Sequence, residues 1–114
     1  MSDCLFCAIA SGDIPAAVVH RDERAVAFRD IDPKAPVHVL VIPVEHHANA
    51  ADLAAADPAL AGHLLAVAGA VAAAEGVSES GYRMVSNTGP QAGQSVPHVH
   101  VHVLGGRDLS WPPG

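Results

Sequence analysis

The chain has 114 residues, half of them hydrophobic, and a formal charge of −6 at pH 7. This length favours one domain over residues 1–114, and the hydrophobic fraction excludes a disordered chain. The negative charge argues against a nucleic-acid polymer as partner, although a single mononucleotide held by local groups stays compatible with it. No apolar run is long enough to span a membrane. Because residues 1–4 lack the features of a signal peptide, we expect a cytoplasmic protein.

Hydrophobic periodicity, turn residues and capping residues predict the elements in chain order. They are a short helix over 4–11, strands over 17–20, 25–28 and 37–42, a helical turn over 52–56, a long helix from Pro58 to Gly76, and strands over 81–86 and 98–104. Asp57 is the expected N-cap of the long helix, and Gly76 the expected end. Strands outnumber the long helix, and hairpins favour antiparallel pairing. The predicted fold class is therefore α+β, an antiparallel sheet with one long helix packed on it.

The strand over 98–104 alternates histidine with aliphatic residues. His98, His100 and His102 fall on one face, and valines fall on the other, because side chains of a strand alternate with period two. A row of three imidazoles is compatible with a solvated sheet face, a metal site, or a site for acid–base and nucleophilic chemistry. The residues that flank the strand favour chemistry over a merely solvated face.

The loop over 87–95 before this strand is rich in turn residues and exposed donors. It contains glycines, a proline, amides and hydroxyls, a composition that can cradle a phosphate. Asp30, just after an earlier strand, is either a binding group or part of a solvated turn. His38 interrupts an apolar strand, so we expect it to be buried and hydrogen-bonded, as a core residue or behind the triad.

Cys4 and Cys7 are the only cysteines and have Cys-x-x-Cys spacing. In a reducing compartment this spacing indicates a metal clip or a redox pair rather than a structural disulfide. Alternatively, Cys7 is simply a small hydrophobic residue buried in an apolar helix.

The motif from His98 to Leu104 resembles that of the histidine triad (HIT) family. Segments elsewhere in the chain extend the resemblance, and several of them resemble the branch called histidine triad nucleotide-binding proteins. These segments are Phe28 to Ile31, Val41 to Pro43, Gly93 to Val96, Leu104 to Arg107 and Trp111 to Gly114. Family membership implies a homodimer whose two sheets join into one, with Trp111 of the tail (108–114) reaching toward the partner's site.

The resemblance also implies an activity, hydrolysis of purine nucleoside phosphoramidates or related nucleotidyl bonds, with release of a monophosphate such as AMP. By position His100 is the expected nucleophile, with a side chain that faces solvent rather than the valine core, and no cofactor is required for the reaction. The other residues expected in catalysis are His102, His98, His38 and Ser95. The residues expected around the nucleotide are Asp30, Ile31, Asn87, Gly93, Gln94, Ser95, His100 and His102. Pro97 departs from the aromatic residue of well-known relatives and makes strand pairing at this point uncertain.

Relatives with the same N-terminal cysteine pair imply a structural zinc site. Its ligands here would be Cys4, Cys7, His46 and His98, with His47 a substitute for His46. Two other classes of function stay open from the residues. One is a nucleotide-binding sensor or adaptor with little turnover, and the other is a metal-binding regulator.

Overall fold

A computed structural model describes residues 4–114 of the chain. Its elements are α1 (Leu5–Ser11), β1 (Val18–Arg21), β2 (Ala25–Arg29), β3 (Val37–Pro43), α2 (Ala50–Ala56), α3 (Pro58–Ala74), β4 (Tyr82–Val85) and β5 (Val101–Gly105). The strands form one antiparallel sheet in the order β1-β2-β3-β5-β4. The α+β prediction with one long helix is thereby confirmed. The prediction that the chain begins without a signal peptide rests mainly on residues 1–3, which lie outside the described residues.

Both ends of α3 are made by the residues that the sequence predicts. The Asp57 carboxylate accepts a hydrogen bond from the backbone N–H of Leu60 at 3.0 Å. At the other end Gly76 has a φ of +78°, and its N–H donates to the Ala73 carbonyl at 3.1 Å. The next N–H, that of Val77, donates to Ala72 at 3.0 Å, which completes a Schellman motif. Within the described residues, no helix is long and apolar enough to cross a membrane.

One face of the sheet packs against α3 and forms the larger core. The valines that alternate with the triad histidines all point to this face. The buried side chains that α3 contributes are Leu60, Leu64, Val67, Ala68, Val71 and Ala72. The two faces predicted from the alternation are therefore confirmed, with valines on the core side and imidazoles on the opposite side.

The opposite face of the sheet carries a second apolar cluster beneath α1. Phe6 and Ile9 of the helix pack there against Phe28, Leu40 and Ile42 of the sheet. The triad histidines share this face, so α1 covers part of it. The face is thus divided between an apolar region and a region of imidazoles.

The histidine strand begins later than the sequence predicts. β5 starts at Val101, so His98 and His100 precede it. In the antiparallel register Val101 lies opposite Val41, which would place Val99 opposite Pro43. Proline has no backbone N–H to donate, so the ladder stops, and the Val99 N–H donates instead to the His47 carbonyl at 2.7 Å. The doubt about pairing beside Pro97 is resolved, because that residue lies outside the strand.

Two glycine substitutions test the packing of Val77, just after α3, against β5 and the helix propensity of α3 itself. A methyl group on Gly105 would lie 3.0 Å from the Cβ of buried Val77, whereas one on Gly62, exposed on α3, would meet nothing within 4 Å. We expect Gly105→Ala to lower the free energy of unfolding by about 1–3 kcal/mol. Gly62→Ala should raise it by about 0.5–1 kcal/mol, because alanine favours a helix. Urea titration measures both, and equal stability of Gly105→Ala and the wild type would contradict this packing.

Candidate functional site

The three histidines of the triad have different degrees of burial. His98 is 0% exposed and His100 is 4% exposed, while His102 is partly exposed. The expectation that His100 faces solvent is wrong, because the Phe6 ring of α1 packs edge-on against it with centroids 5.1 Å apart. The same Phe6 ring packs edge-on against His98. The sequence analysis missed this role of Phe6, because nothing in the local pattern shows where α1 docks.

The hydrogen bonds around His100 define which of its ring nitrogens is available. Its Nδ1 lies 2.8 Å from the carbonyl oxygen of His98. A carbonyl only accepts hydrogen bonds, so Nδ1 carries the hydrogen and the neutral ring keeps its lone pair on Nε2. The hydroxyl of Ser86, at the end of β4, donates to the His100 carbonyl at 3.0 Å and holds the backbone. Ser86 is a second residue that the sequence analysis did not identify.

A chain of hydrogen bonds likewise orients His102. The Lys34 N–H donates to His38 Nδ1 at 3.0 Å, so neutral His38 carries its hydrogen on Nε2. That Nε2 lies 2.9 Å from Nδ1 of His102, which therefore accepts, and neutral His102 carries its own hydrogen on Nε2. The carboxylate of Asp30 lies 3.5 Å from His38 Nε2. His38 is thus buried and hydrogen-bonded, as the sequence predicts.

Burial favours the neutral form of these imidazoles. Desolvation and the neighbouring His100 and His38 lower the pKa of His102 to about 4. Desolvation also lowers the pKa of His38, against the opposing field of Asp30. For His98 the largest cause of the lowered pKa is again burial. At pH 7 His38, His98 and His102 are therefore neutral imidazoles rather than imidazolium cations.

A cavity of about 600 Å³ opens beside the triad. His100 and His102 line it together with Asp30 and Ser95. Apolar side chains make up most of the remaining wall, and they include Leu5, Phe6, Ile9, Ile14, Phe28, Ile31, Leu40 and Val96. An apolar slot with a few convergent polar groups at one end is typical of a small-molecule site.

Three of the residues predicted to surround a nucleotide, Asn87, Gly93 and Gln94, do not line this cavity. Asn87 lines a neighbouring groove together with His102. The Gln94 side chain braces the loop, since its amide nitrogen donates to Ala48 at 2.7 Å and its oxygen accepts from Gly89 at 3.0 Å. The N–H of Gly93 donates to the Pro90 carbonyl at 3.1 Å. Ile31, by contrast, lines the cavity mouth and is wholly exposed.

A separate cluster of potential metal ligands joins α1 to the triad. Nδ1 of His98 lies 3.3 Å from Sγ of Cys4 and 3.5 Å from Sγ of Cys7. Nδ1 of His46 lies 3.4 Å from Sγ of Cys7 and 3.1 Å from Nδ1 of His98. All four ligand atoms lie within 4.8 Å of one another. Zinc–sulfur bonds of about 2.3 Å and zinc–nitrogen bonds of about 2.0 Å place tetrahedral ligands at such separations.

The surroundings of this cluster also fit a metal. Nε2 of His98 lies 2.9 Å from the Pro43 carbonyl, so its hydrogen is there and Nδ1 presents a lone pair to the thiols. An imidazole held in this way by a backbone carbonyl is the usual arrangement of a metal-ligating histidine. His47, the predicted substitute, is not part of the cluster, because its Nε2 bonds to Glu45 at 2.8 Å.

Comparison with known proteins gives the class of the chain. The model of the HIT domain matches residues 11–109. An uncharacterized HIT-like protein of Synechococcus elongatus is 53% identical over 112 residues, which are 98% of this chain and 97% of the relative. A 14 kDa zinc-binding protein of Zea mays is 48% identical over 116 residues, covering 99% of this chain and 89% of the relative. The chain belongs to the HIT family, and the predicted family is thereby confirmed.

Solved structures agree with this assignment. A HIT family hydrolase from Legionella pneumophila superposes with a TM-score of 0.95 at 51% identity, covering 98% of this chain and all (100%) of that one. A histidine triad nucleotide-binding protein from Candida albicans superposes with a TM-score of 0.84 at 30% identity, covering 96% of this chain and 83% of that one. The fold is therefore that of HIT family hydrolases, while the branch within the family stays a prediction.

The lowered pKa of His102 predicts how stability depends on pH. The unfolded chain binds a proton to this histidine near pH 6.5, but the folded protein binds it only near pH 4. Between these values the unfolded state holds more protons, so the free energy of unfolding falls as the pH is lowered from 6.5 toward 4. We expect His102 to contribute on the order of 2 kcal/mol to this loss. Urea titrations between pH 6.5 and 4 should show a smaller loss of the free energy of unfolding for His102→Asn than for the wild type. The same dependence on pH in both proteins would contradict the buried neutral ring.

Proposed function

We propose that this protein hydrolyses purine nucleoside phosphoramidates or related nucleotidyl bonds through a nucleotidylated His100. The hydrogen bond from His100 Nδ1 to the His98 carbonyl carries this proposal, because it leaves the lone pair on Nε2. A neutral imidazole with one nitrogen fixed and the other free is a competent nucleophile at neutral pH. Its position in the wall of the cavity gives a bound phosphate access to that nitrogen.

In the first step Nε2 of His100 attacks the phosphorus of the substrate. A bond from Nε2 to phosphorus forms, the phosphorus–nitrogen bond breaks, and the leaving amine takes up a proton. The Nε2–H of His102 is oriented to donate to a phosphoryl oxygen, where negative charge develops. Ser95 in the cavity wall or a flanking histidine is the proposed proton donor to the amine.

In the second step water attacks the same phosphorus, its proton passes to the group that protonated the amine, and the bond from phosphorus to His100 breaks. The products are a nucleoside monophosphate such as AMP and a neutral imidazole, so the enzyme returns to its starting state. No redox change occurs, and the reaction needs no cofactor. His38 acts at a distance in both steps, because its hydrogen bond holds His102 in the tautomer that donates from Nε2.

The cavity beside the triad is suited to a purine nucleotide. Its apolar walls suit the faces of a flat base, and we propose that Ile31, which lines the cavity and is exposed, covers the base. The carboxylate of Asp30 is an acceptor for ribose hydroxyls at the polar end. Asn87, Gly93, Gln94 and Ser95 belong to the loop proposed to surround the phosphate. The printed name of the Candida albicans relative, a nucleotide-binding protein, is consistent with this ligand.

A nucleotide-binding sensor or adaptor is the second candidate. The same cavity supports this function, and such a protein would differ from the proposed hydrolase only in its low turnover. Activity of the purified protein separates the two candidates. In either case we propose a cytoplasmic protein that acts as one HIT domain over residues 1–114 and forms a homodimer in which the two sheets join into one, with the tail near the partner's site.

We also propose a structural zinc bound by Cys4, Cys7, His46 and His98. The convergence of two thiols and two Nδ1 atoms supports it, as does the zinc-binding name of the Zea mays relative. When bound, zinc would cross-link α1 to the chain before β5 and contribute stability rather than reactivity, because four protein ligands leave no open position. His98 would then be structural, and His100 would stay free to react.

Substitution of the proposed nucleophile tests the reaction. We expect His100→Ala to lower kcat/KM for an adenosine phosphoramidate by at least about 10³-fold, since no other group replaces the covalent step. AMP affinity should be largely kept, and stability should fall by about 1–2 kcal/mol because the ring is buried. Wild type quenched in alkaline denaturant, in which the histidine–phosphorus bond persists, should carry a nucleotidyl adduct on His100 by mass spectrometry.

His63→Ala is the matched control, because His63 lies on α3 and bonds to Asp22 rather than to the triad. It should retain wild-type turnover. An adduct on another residue would contradict the assignment of the nucleophile. AMP binding without turnover by the wild type would favour the sensor over the enzyme.

Metal analysis tests the zinc site. Protein produced in zinc-supplemented medium should contain one equivalent of zinc, and Cys7→Ser should lose it and melt several degrees lower. His47→Ala is the control, because this neighbouring imidazole lies outside the cluster, and it should keep the metal. Wild-type protein without zinc, or equal zinc in Cys7→Ser, would overturn the proposal.

A further inference from the structure

The Cys4–Cys7 pair has chemistry that the proposed zinc site does not use. Its Cys-x-x-Cys spacing indicates either a metal clip or a redox pair, and the chain has no other cysteine. Two thiols that meet within one helical turn can also be joined by oxidation. Because a third thiol is absent from the sequence, a disulfide within one chain can form only between these two.

The first turn of α1 brings the two thiols together. The Ala8 N–H donates to the Cys4 carbonyl at 3.1 Å, and the Cys7 N–H donates to Cys4 Sγ at 3.4 Å. A helical turn places Cα atoms three residues apart at about 5 Å, inside the range of about 4.4–6.8 Å that a disulfide spans. Rotation of two side chains, without a change in the helix, is therefore enough to join the sulfur atoms.

One side of the pair is open to small molecules. His46, whose Nδ1 lies 3.4 Å from Cys7 Sγ, is exposed, and both cysteines are partly exposed. On the other side, Cys4 Sγ lies 3.3 Å from Nδ1 of His98, which is fully buried. A small oxidant that approaches from the His46 side thus meets Cys7 first.

Bound zinc and a disulfide exclude each other at this site. Zinc binds thiolates, and the sulfur atoms of a disulfide carry no negative charge to offer it. Oxidation would leave only His46 and His98 of the four ligands. Each state therefore opposes the other, because bound zinc protects the thiols and the disulfide releases the metal.

We propose that Cys4 and Cys7 form a redox pair that a small disulfide, such as glutathione disulfide, oxidises with release of zinc. It rests on the proposed zinc site rather than on the hydrolase. The Cys7 thiolate attacks one sulfur of glutathione disulfide, a first glutathione leaves as its thiolate, and a mixed disulfide forms on Cys7. The Cys4 thiolate then attacks the Cys7 sulfur, and the second glutathione leaves. With two protons from the solvent, one glutathione disulfide yields two glutathiones, the protein disulfide and Zn²⁺.

The redox pair is connected to the triad through Phe6. This residue lies between the two cysteines in the sequence, and its ring packs edge-on against His98 and His100. Zinc would tie α1 to His98, whereas a disulfide ties α1 only to itself. Oxidation therefore removes a link between α1, which carries part of the cavity wall, and the segment before β5. A transient disulfide of this kind is the type expected in a reducing cytoplasm.

A glutathione titration at fixed free zinc tests the proposal. The full-length protein is equilibrated with mixtures of glutathione and glutathione disulfide, remaining thiols are blocked with N-ethylmaleimide, and mass spectrometry counts the blocked cysteines. The wild type should pass from two blocked cysteines to none, and its bound zinc should fall in step. We define the oxidising ratio as the concentration of glutathione disulfide divided by the square of that of glutathione. Because zinc binds only the reduced pair, each tenfold rise in free zinc above its Kd should raise the ratio at half-conversion tenfold, about 30 mV for two electrons.

Single substitutions of the two thiols test the order of the steps. Cys4→Ser lacks the second thiol, so it should accumulate the mixed disulfide with glutathione on Cys7. Cys7→Ser should carry several-fold less adduct after the same time, since Cys4 lies toward buried His98. His47→Ala is the control, because it keeps both thiols and lies outside the cluster, and it should titrate as the wild type does.

The outcomes separate the redox pair from the zinc site. A wild type that binds zinc and keeps two blocked cysteines at every ratio would overturn the redox pair and leave the zinc site intact. A disulfide that forms at the same ratio whatever the free zinc would overturn the release of zinc by oxidation. A wild type that binds no zinc would overturn the zinc site and its release together. Equal adducts in Cys4→Ser and Cys7→Ser would overturn the assignment of Cys7 as the first thiol to react.

Discussion

The hydrogen bond from His100 Nδ1 to the His98 carbonyl links the fold of this chain to its proposed chemistry. It joins residues two positions apart, so it depends on the backbone conformation just before β5. That conformation is held from the other side of the chain, because Val99 and Val101 are anchored in the core under α3. The ring of His98 is itself fixed by the Pro43 carbonyl. Nε2 of His100, the proposed nucleophile, is therefore oriented by packing on both faces of the sheet.

The two faces of the sheet have different roles. The α3 face is apolar throughout and supplies most of the buried volume. The other face is only partly covered, by short α1, and its gap forms the cavity beside the triad. Because Phe6 of α1 packs against His100, the helix that narrows the cavity also shields the proposed nucleophile from water. The proposed zinc would stabilise this arrangement, since Cys4 and Cys7 belong to the same helix and its N-cap.

Much of the fold was predictable because its signals are local. The Asp57 cap, the Gly76 end and the alternation of valine with histidine each act within a few residues of chain. The start of β5 was predicted too early, because the interruption comes from Pro43 on another strand. The solvent-facing position expected for His100 was wrong for a related reason, since the covering ring comes from a helix nearly the whole chain away. Ser86, which holds the His100 backbone, left no signal in the sequence at all.

The sequence by itself determined the helix and strand types, the faces of the histidine strand and the family, because these follow from periodicity, capping residues and a motif of adjacent positions. Only the tertiary structure decided which distant groups meet. His46 rather than His47 joins the cysteines, and His38 reaches His102 at 2.9 Å. Such contacts depend on strand register and on the docking of α1, which arise from packing over the whole chain rather than from neighbouring residues.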